Sequence, residues 1–221
     1  MKTFILIVHY KNGKAMFVET EFREDRLEEI TRIINEYPLA SLIAQTQTGL
    51  IAEHIPLLLI DEKTLRGHIS LENTLFKNSI VNNQVLYIFK AEDVYISPNY
   101  YPTKFEDHKK VPTWNYQVVH INGEIKFFQD QKTKLAVLGQ LTKQHESITN
   151  GENAWKMSDA PKDYLMEMLN HLVAFEIKIE KIIAKSKLSQ NREEKDFRNV
   201  ITKLQESGKV NMAKTMGQLK R

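Results

Sequence analysis

Two hydrophobic periodicities divide this chain into a strand-rich part and a mixed part. Between positions 40 and 97, short runs of alternating apolar and polar residues are separated by turn residues such as Gln47-Thr48-Gly49. A period of two is typical of strands that bury one face. The pattern predicts strands over 40–46, 49–60, 64–70, 84–90 and 93–97, with a further short strand over 3–8. Several short strands joined by tight turns favour a barrel or a sandwich.

The stretch VPTWNYQVVHINGEIKFF, residues 111–128, has two distinct halves. Its second half predicts a β-hairpin, because Asn122-Gly123 is the dipeptide that prefers a tight turn between antiparallel strands. In the first half, alternation places two mixed sets of side chains on opposite faces. They are Trp114, Tyr116, Val118 and His120 on one face, and Asn115, Gln117, Val119 and Ile121 on the other. A strand between a barrel interior and a partner subunit would explain such mixed faces.

Apolar residues at helical spacing predict four helices. They are expected over 23–36, from about 131 to 145, from 158 to 172, and from 193 to a stop at Gly208. Before the last helix, VAFEIKIEKI alternates apolar and charged residues, which predicts a strand with one buried face. No repeat or linker interrupts this order, so we interpret the chain as one α+β domain.

Composition excludes some chemistry without identifying the function. The chain has 221 residues, 42% hydrophobic and 27% charged, with a net charge of +3, which is typical of globular proteins. It has no cysteine, which excludes disulfides, thiolate metal sites and a cysteine nucleophile. No apolar run reaches the ~20 residues needed to span a bilayer, and MKTFILIV is followed by no cleavage site. We therefore expect a cytoplasmic protein without a membrane partner.

Eight segments resemble the PaiB family of negative regulators of protease synthesis and sporulation. They are EYPLASLIA, GLIAEHIPLLL, LRGHIS, VYISPNYYPTK, VPTWNYQVVHINGEI, WKMSDAPKDY, FEIKIEKI and KSKLSQNR. The resemblance implies an α+β fold: an FMN-binding split β-barrel with flanking helices and a C-terminal helical tail. It also implies a homodimer with cofactor sites at the subunit interface, and a role as a transcriptional regulator. The family start resembles Met16, so residues 1–15 are expected to be an extension before a single domain over 16–221.

LRGHISLEN is the segment that the resemblance places against an FMN phosphate. His68, Ser70 and Asn73 can donate hydrogen bonds to phosphate oxygens. Related proteins carry a basic residue between the positions that match Ser70 and Asn73, whereas this chain has Leu71 and Glu72. A carboxylate repels a phosphate, so Glu72 argues against FMN at this segment. The alternative for His68 is a structural residue of the strand.

Two further groups complete the predicted cofactor site. Trp114 and Tyr116 suit stacking beside an isoalloxazine ring, and Asn115 and Gln117 can pair with its polar edge. The alternative is a structural polar network.

The predicted site also includes Lys187, Gln190 and Asn191 of the KLSQNR motif. This motif also contains Ser189 and Arg192, and its two cations suit an anionic ligand. The alternative here is a polar loop in which Ser189 or Asn191 caps the following helix.

The sequence contains none of the common catalytic motifs. It has no nucleophile elbow, glycine-rich phosphate loop or dinucleotide fingerprint, so we expect no catalytic residue. If the protein is an enzyme, a flavin-dependent oxidoreductase is the alternative, and a haem-binding split barrel is another. With no cysteine and no HExxH pattern, we expect no metal site.

Residues 181–221 contain eleven basic and four acidic side chains, so DNA is a candidate partner of this region.

Overall fold

The computed structural model describes residues 16–219, and the strand predicted over 3–8 lies outside them. Strands and α-helices follow one another through this part of the chain. Their bounds are α1 Leu27–Glu36, β1 Leu39–Thr46, β2 Gly49–Pro56, β3 Leu58–Asp61, β4 Thr64–Ser70, α2 Thr74–Lys77, β5 Ile80–Ile96, α3 Lys104–Asp107, β6 Thr113–Phe128, α4 Gln131–Asn150, α5 Lys162–Asn170, β7 Leu172–Lys187, α6 Glu194–Glu206 and α7 Val210–Gly217.

The strands form one antiparallel sheet in the order β2-β1-β5-β6-β7-β4-β3. The predicted turn after 46 is confirmed, because Thr46 pairs with Gly49 across the two residues between them. The strand predicted over 49–60 is in fact two strands. The break falls at Leu57, whose backbone N–H leaves the sheet pattern and donates to the carbonyl oxygen of Pro38 at 3.0 Å.

The predicted hairpin at Asn122-Gly123 is wrong, because both residues lie inside the 16-residue strand β6. The glycine serves a close contact between strands rather than a turn. A Cβ at Gly123 would lie 2.4 Å from the carbonyl oxygen of Lys178 in β7. The two strands predicted over 84–90 and 93–97 are likewise one strand, β5.

The four predicted helices are confirmed as α1, α4, α5 and α6, with shifted ends. The predicted stop after α6 is also confirmed, since Gly208 adopts a left-handed φ of 75° two residues after the helix ends. Helix α7 was not predicted from the sequence. This short helix buries Met212, Ala213 and Met216, whose spacing fits one face of a helix.

Contacts divide residues 16–219 into two compact units, described here as the first and the second unit. The first unit contains 34–89 and 120–182, and the second contains 16–33, 90–119 and 183–219. The core of the second unit includes Tyr101, Leu188, Phe197 and residues of α7. No helix among residues 16–219 is long and apolar enough to cross a membrane.

Candidate functional site

The second unit contains a small cavity beside the end of β7, which we call the basic cavity. Its volume is about 110 Å³. Three parts of the chain supply its walls: the turn before α1, the start of β6, and the turn after β7. The lining residues are Phe22, Thr113, Asn115, Lys187, Ser189, Asn191 and Arg192.

Asn115 lines this cavity from the inner face of β6 and is fully buried. Its Oδ1 accepts a hydrogen bond from the Ser189 hydroxyl at 2.9 Å. Its Nδ2 donates to the sulfur of Met216 at 3.4 Å. A thioether is a weak acceptor, so the NH₂ group of Asn115 keeps donor capacity for a stronger partner.

The turn after β7 is held in a conformation that only a few non-glycine residues adopt. Ser189 has a left-handed φ of 63°, and its carbonyl oxygen accepts from the N–H of Arg192 at 3.0 Å. Strained positions of this kind persist where the surroundings fix them, and they concentrate at functional sites. The N-cap residue of α6 is Glu193, whose side chain makes no capping hydrogen bond, so neither Ser189 nor Asn191 occupies the N-cap position.

Gln190, also predicted for the site, fixes this turn instead of lining the cavity. Its Oε1 accepts from the backbone N–H of Leu188 at 2.7 Å. Its Nε2 donates to the carbonyl oxygens of Ser186 and Glu21, at 2.6 and 3.0 Å. The carboxamide of Gln190 therefore joins the turn to both β7 and the segment before α1.

Two cations border the basic cavity. The Nζ of Lys187 lies 5.6 Å from the ring centroid of Phe22, and the guanidinium carbon of Arg192 lies 4.8 Å from that of Tyr101. Both distances suit a cation–π contact. Burial raises the pKa of Tyr101, and the nearby Arg192 acts in the opposite direction. Aromatic rings thus position Lys187 and Arg192 at the edge of the basic cavity.

Asp196, the buried carboxylate nearest in sequence to the turn after β7, accepts its hydrogen bonds from Thr103. Asp196 is almost fully buried, and its carboxylate accepts from the backbone N–H of Thr103 at 3.1 Å and from the Thr103 hydroxyl at 2.6 Å. This pairing joins α6 to the segment before α3.

Gln117 lies two residues after Asn115 on the same inner face and is also buried. Its Nε2 donates to the Ser186 hydroxyl and to the carboxylate of Glu29, and its Oε1 accepts from Arg32. Burial raises the pKa of Glu29, but hydrogen bonds from Arg32 and Gln117 outweigh it, so the pKa is lowered overall. This is the structural polar network that the sequence left as an alternative for Gln117.

The aromatic residues of the motif lie on the outer face of β6, as alternation predicted. Trp114 is 51% exposed and packs edge-to-face on Tyr95, which is 47% exposed, with ring centroids 5.8 Å apart. Tyr116 is half-buried, and its ring centroid lies 5.7 Å from the Nζ of Lys185. The predicted ring-stacking and polar-edge residues therefore occupy opposite faces of one strand.

The other three predicted residues belong to the first unit, at the end of β4. The Ser70 hydroxyl accepts from the N–H of Glu72 at 3.1 Å, and the Asn73 side chain caps α2 by accepting from the N–H of Leu75 at 2.8 Å. Both side chains thus have structural partners in the turn. Glu72 is exposed and forms an ion pair with Lys77, which reduces the repulsion that its carboxylate would exert on an anion.

His68 differs from its two neighbours in this segment. Its Nδ1 is buried without a hydrogen-bond partner, and burial lowers the pKa of His68. The adjacent Gly67 is explained by packing, since a Cβ there would lie 2.5 Å from the ring of Phe175.

The structure thus places seven of the ten predicted residues in the second unit and three in the first. Asn115, Lys187 and Asn191 meet at the basic cavity. Phe22 and Thr113 were not predicted to belong to the site, because neither side chain has a sequence context typical of ligand binding. Among residues 16–219, no group of three or more His, Asp or Glu side chains could hold a metal ion.

Residues 16–181 match the protein family described as "Putative FMN-binding domain". The chain is also 34% identical, over 209 residues, to "Protease synthase and sporulation protein PAI 2" of Bacillus subtilis (strain 168). That similarity covers 92% of this chain and 96% of the relative.

Solved structures of low sequence identity show the fold. A conserved hypothetical protein from Mycobacterium tuberculosis superposes with a TM-score of 0.58 at 11% identity, covering 80% of this chain and 94% of that one. The flavocytochrome Anf3 from Azotobacter vinelandii gives 0.56 at 14% identity, covering 82% and 78%. The predicted α+β split barrel with flanking helices is therefore confirmed. By its family match over most of the chain and its similarity to PAI 2, this chain belongs to the PaiB family, whose domain carries the FMN-binding description.

Proposed function

We propose that this protein is a homodimeric, FMN-binding regulator of gene expression. The observation that carries the proposal is the positively charged, donor-rich basic cavity in a chain whose family is described as FMN-binding. FMN is an anion with a polar ring edge, so cations and amide or hydroxyl donors are the groups that it needs. The relative PAI 2 is named for protease synthesis and sporulation, which supports a regulatory role.

The residues of the second unit fit such a cofactor. Lys187 and Arg192 would hold its anionic end, while Asn115 and Asn191 would supply hydrogen bonds. Trp114 and Tyr116 lie on the opposite face of β6 from Asn115, so within one chain they face away from this cofactor. When bound, FMN supplies a ring that accepts and returns electrons. No group in the described part of the chain forms a recognised nucleophile–base pair in this cavity, so binding and orientation are the roles that its residues can perform.

The direct test is retention of flavin. Purified protein is mixed with excess FMN, free flavin is removed by desalting, and the absorbance of the protein fraction is recorded. We expect the flavin absorbance bands to elute with the protein. A colourless protein fraction after loading at several pH values would overturn the proposal. Loss of the bands on adding a nicotinamide donor would instead identify a flavin-dependent oxidoreductase.

The homodimer is supported by exposed aromatic surface. Tyr95 and Trp114 form an exposed pair, and Phe17 is 77% exposed. Aromatic residues are enriched at protein interfaces. Light scattering on a size-exclusion column is expected to give a dimer that Trp114→Ala weakens about tenfold or more. Trp155→Ala, which changes an exposed tryptophan of the first unit, is the matched control. A monomer at micromolar concentration would contradict the proposal.

DNA is the partner that regulation of transcription suggests. Several basic residues of the C-terminal region are paired with acids: Lys195 with Glu106, Arg198 with Glu194, and Lys203 with Glu206. These ion pairs are exposed and contribute little free energy, so DNA phosphates can replace the acidic partners of the three basic residues. A gel-shift series at rising salt is expected to show binding that weakens steeply with salt. No shift at low salt would mean that regulation proceeds without direct DNA contact.

A further inference from the structure

We propose that a groove on the first unit binds a free α-amino acid with a large apolar side chain. The groove lies between α4, α5 and the segment that joins them, and we call it the α4–α5 groove. Such binding needs neither FMN nor DNA, so it goes beyond the proposed function. Three observations carry it: an apolar half, a polar half with charges of both signs, and a glycine in the helix that lines the polar half.

The apolar half of the α4–α5 groove suits an aliphatic or aromatic side chain. Two adjoining cavities, of about 170 and 450 Å³, form the groove and share Thr142, Trp155 and Met157. The smaller one is otherwise lined by Leu138, Leu165, Met168, Leu169 and Leu172. Trp155 is 43% exposed and Met168 is 37% exposed, so this apolar surface is open to water. An indole and thioethers pack against aliphatic and aromatic groups alike.

The segment that carries Trp155 is fixed to α4. The Oε2 of Glu146 accepts from the Asn150 side chain at 2.7 Å and from the backbone N–H of Trp155 at 2.9 Å. These two hydrogen bonds lower the pKa of Glu146. Further along the segment, the N–H of Lys156 donates to the carboxylate of Asp159 at 2.9 Å. A wall that is already ordered reduces the entropy cost of binding.

The polar half of the groove carries charges of both signs. Lys143, Glu146, Glu152 and Lys156 all line it, and within residues 16–219 none of the four forms an ion pair. Two carboxylates would repel a purely anionic ligand, and two ammonium groups would repel a purely cationic one. A zwitterion offers each charge a partner, since its carboxylate suits the lysines and its ammonium suits the glutamates.

Gly139 lines the polar half from the middle of the 20-residue helix α4. In a helix interior, glycine is less favourable than every other residue except proline. Packing does not require it, because an added Cβ would lie 3.6 Å from the Sδ of Met157, an ordinary van der Waals distance. The missing side chain therefore makes α4 less stable and leaves room beside Met157 for a ligand.

The first experiment uses Trp155 as a reporter of binding. L-Phenylalanine is titrated into the wild-type protein, with tryptophan excited at a wavelength that the ligand does not absorb. We expect a saturable fluorescence change with a dissociation constant of about 1 mM or below. Trp155→Phe, which retains Trp114 of the second unit, should abolish the change. No saturable change in the wild type, or an undiminished change in Trp155→Phe, would overturn the proposal.

Three analogues test the class of ligand. 3-Phenylpropionate lacks the ammonium group, phenethylamine lacks the carboxylate, and glycine lacks the apolar side chain. Each is expected to bind about tenfold or more weakly than L-phenylalanine, because each leaves one part of the groove without its partner. Binding of any of the three as tight as that of L-phenylalanine would show that the groove does not select an apolar zwitterion.

Two variants separate loss of the site from loss of the fold. Gly139→Leu should fill the groove and weaken L-phenylalanine binding about tenfold or more, while the melting temperature stays the same or rises. The double variant Lys143→Gln and Lys156→Gln should weaken binding to a similar extent, since both side chains are exposed and their loss spares the core. Lys132→Gln changes an exposed lysine of α4 outside the groove and is the matched control. Affinities equal to that of the wild type in Gly139→Leu and in the double variant would overturn the proposal.

The outcome is also separable from that of the proposed function. Retention of FMN by a protein that binds no L-phenylalanine would overturn the amino-acid site and leave the flavin proposal intact. Saturable binding of L-phenylalanine by a folded protein that retains no FMN would support the α4–α5 groove as a ligand site and overturn only the flavin proposal.

Discussion

Gln117 donates a hydrogen bond from its Nε2 to the Oγ of Ser186 at 2.9 Å, which joins β6 to β7 inside the second unit. The Ser186 hydroxyl in turn donates to the buried carboxylate of Glu24 at 3.0 Å. Glu24 also accepts two hydrogen bonds from the Arg26 guanidinium and one from the Arg26 backbone N–H. Two strands and the segment before α1 are therefore connected through one polar network, which holds the neighbouring Asn115 and the basic cavity in place.

The network predicts that Gln117→Leu destabilises the fold. The substitution leaves Ser186 and Glu29 each without one buried hydrogen bond, at a cost of about 1–3 kcal/mol in the free energy of unfolding. Urea unfolding measures this loss. Gln84→Leu, at an exposed position of β5, is the control and should stay within about 0.5 kcal/mol of the wild type. Equal stability of both variants would show that the network is not structural.

The ion pair of Glu19 and Lys185 predicts a pH-dependent contribution to stability. The hydrogen bond from Lys185 lowers the pKa of Glu19 below its ordinary value of 4.5. Burial lowers the pKa of Lys185, but the pairing with Glu19 and Tyr116 outweighs it and raises that pKa above 10.5. Stability from Glu19 is present above pH 4.5 and is lost as pH falls through its folded-state pKa. The stability that Lys185 contributes is present below pH 10.5 and is lost as pH rises through the folded-state pKa of Lys185.

Glu19→Gln should therefore lower the melting temperature between about pH 5 and 10 and have little effect near pH 3. The pair is partly buried, so a loss of about 1 kcal/mol, or about 2–4 °C, is expected at pH 7. Thermal scans across this pH range provide the measurement. Glu21→Gln, at an exposed position two residues away, serves as the control. A deficit that persists unchanged at pH 3 would contradict the assigned role of the carboxylate.

The close approach of β6 and β7 predicts a large effect at Gly123. In Gly123→Ala, the new Cβ would lie 2.4 Å from the backbone oxygen of Lys178. Relieving this clash requires a shift of the sheet backbone, which costs free energy of folding. Overpacking of this kind costs about 1–3 kcal/mol, and we expect the upper end. Gly217→Ala places its Cβ in open space at the end of α7 and should be neutral or slightly stabilising. Denaturant midpoints of the two variants make the comparison.

Gly123 also shows where the sequence pattern fails. The Asn-Gly step has the chemistry of a tight turn, and nothing local distinguishes it from a glycine required by a neighbouring strand. That requirement comes from Lys178, 55 positions later, and only the paired strands reveal it. The turn before Gly49 was predictable because there the local chemistry and the pairing agree.

The candidate site was predictable in its residue types and only partly in its arrangement. Alternation correctly placed Asn115 and Gln117 on one face of β6 and Trp114 and Tyr116 on the other. The partners of these side chains were not predictable, because Ser189 and Met216 reach Asn115 from turns and helices far along the chain. For the same reason the sequence grouped Gln190 with the ligand-binding residues, although its carboxamide holds the backbone of the turn.

Equilibrium dialysis against FMN measures directly whether the wild-type protein binds this cofactor. We expect saturable binding of one FMN per chain with a dissociation constant in the micromolar range or below, since cations and amide donors line the basic cavity. Binding that does not saturate up to about millimolar FMN, in a protein shown to be folded by its cooperative thermal transition, would contradict it.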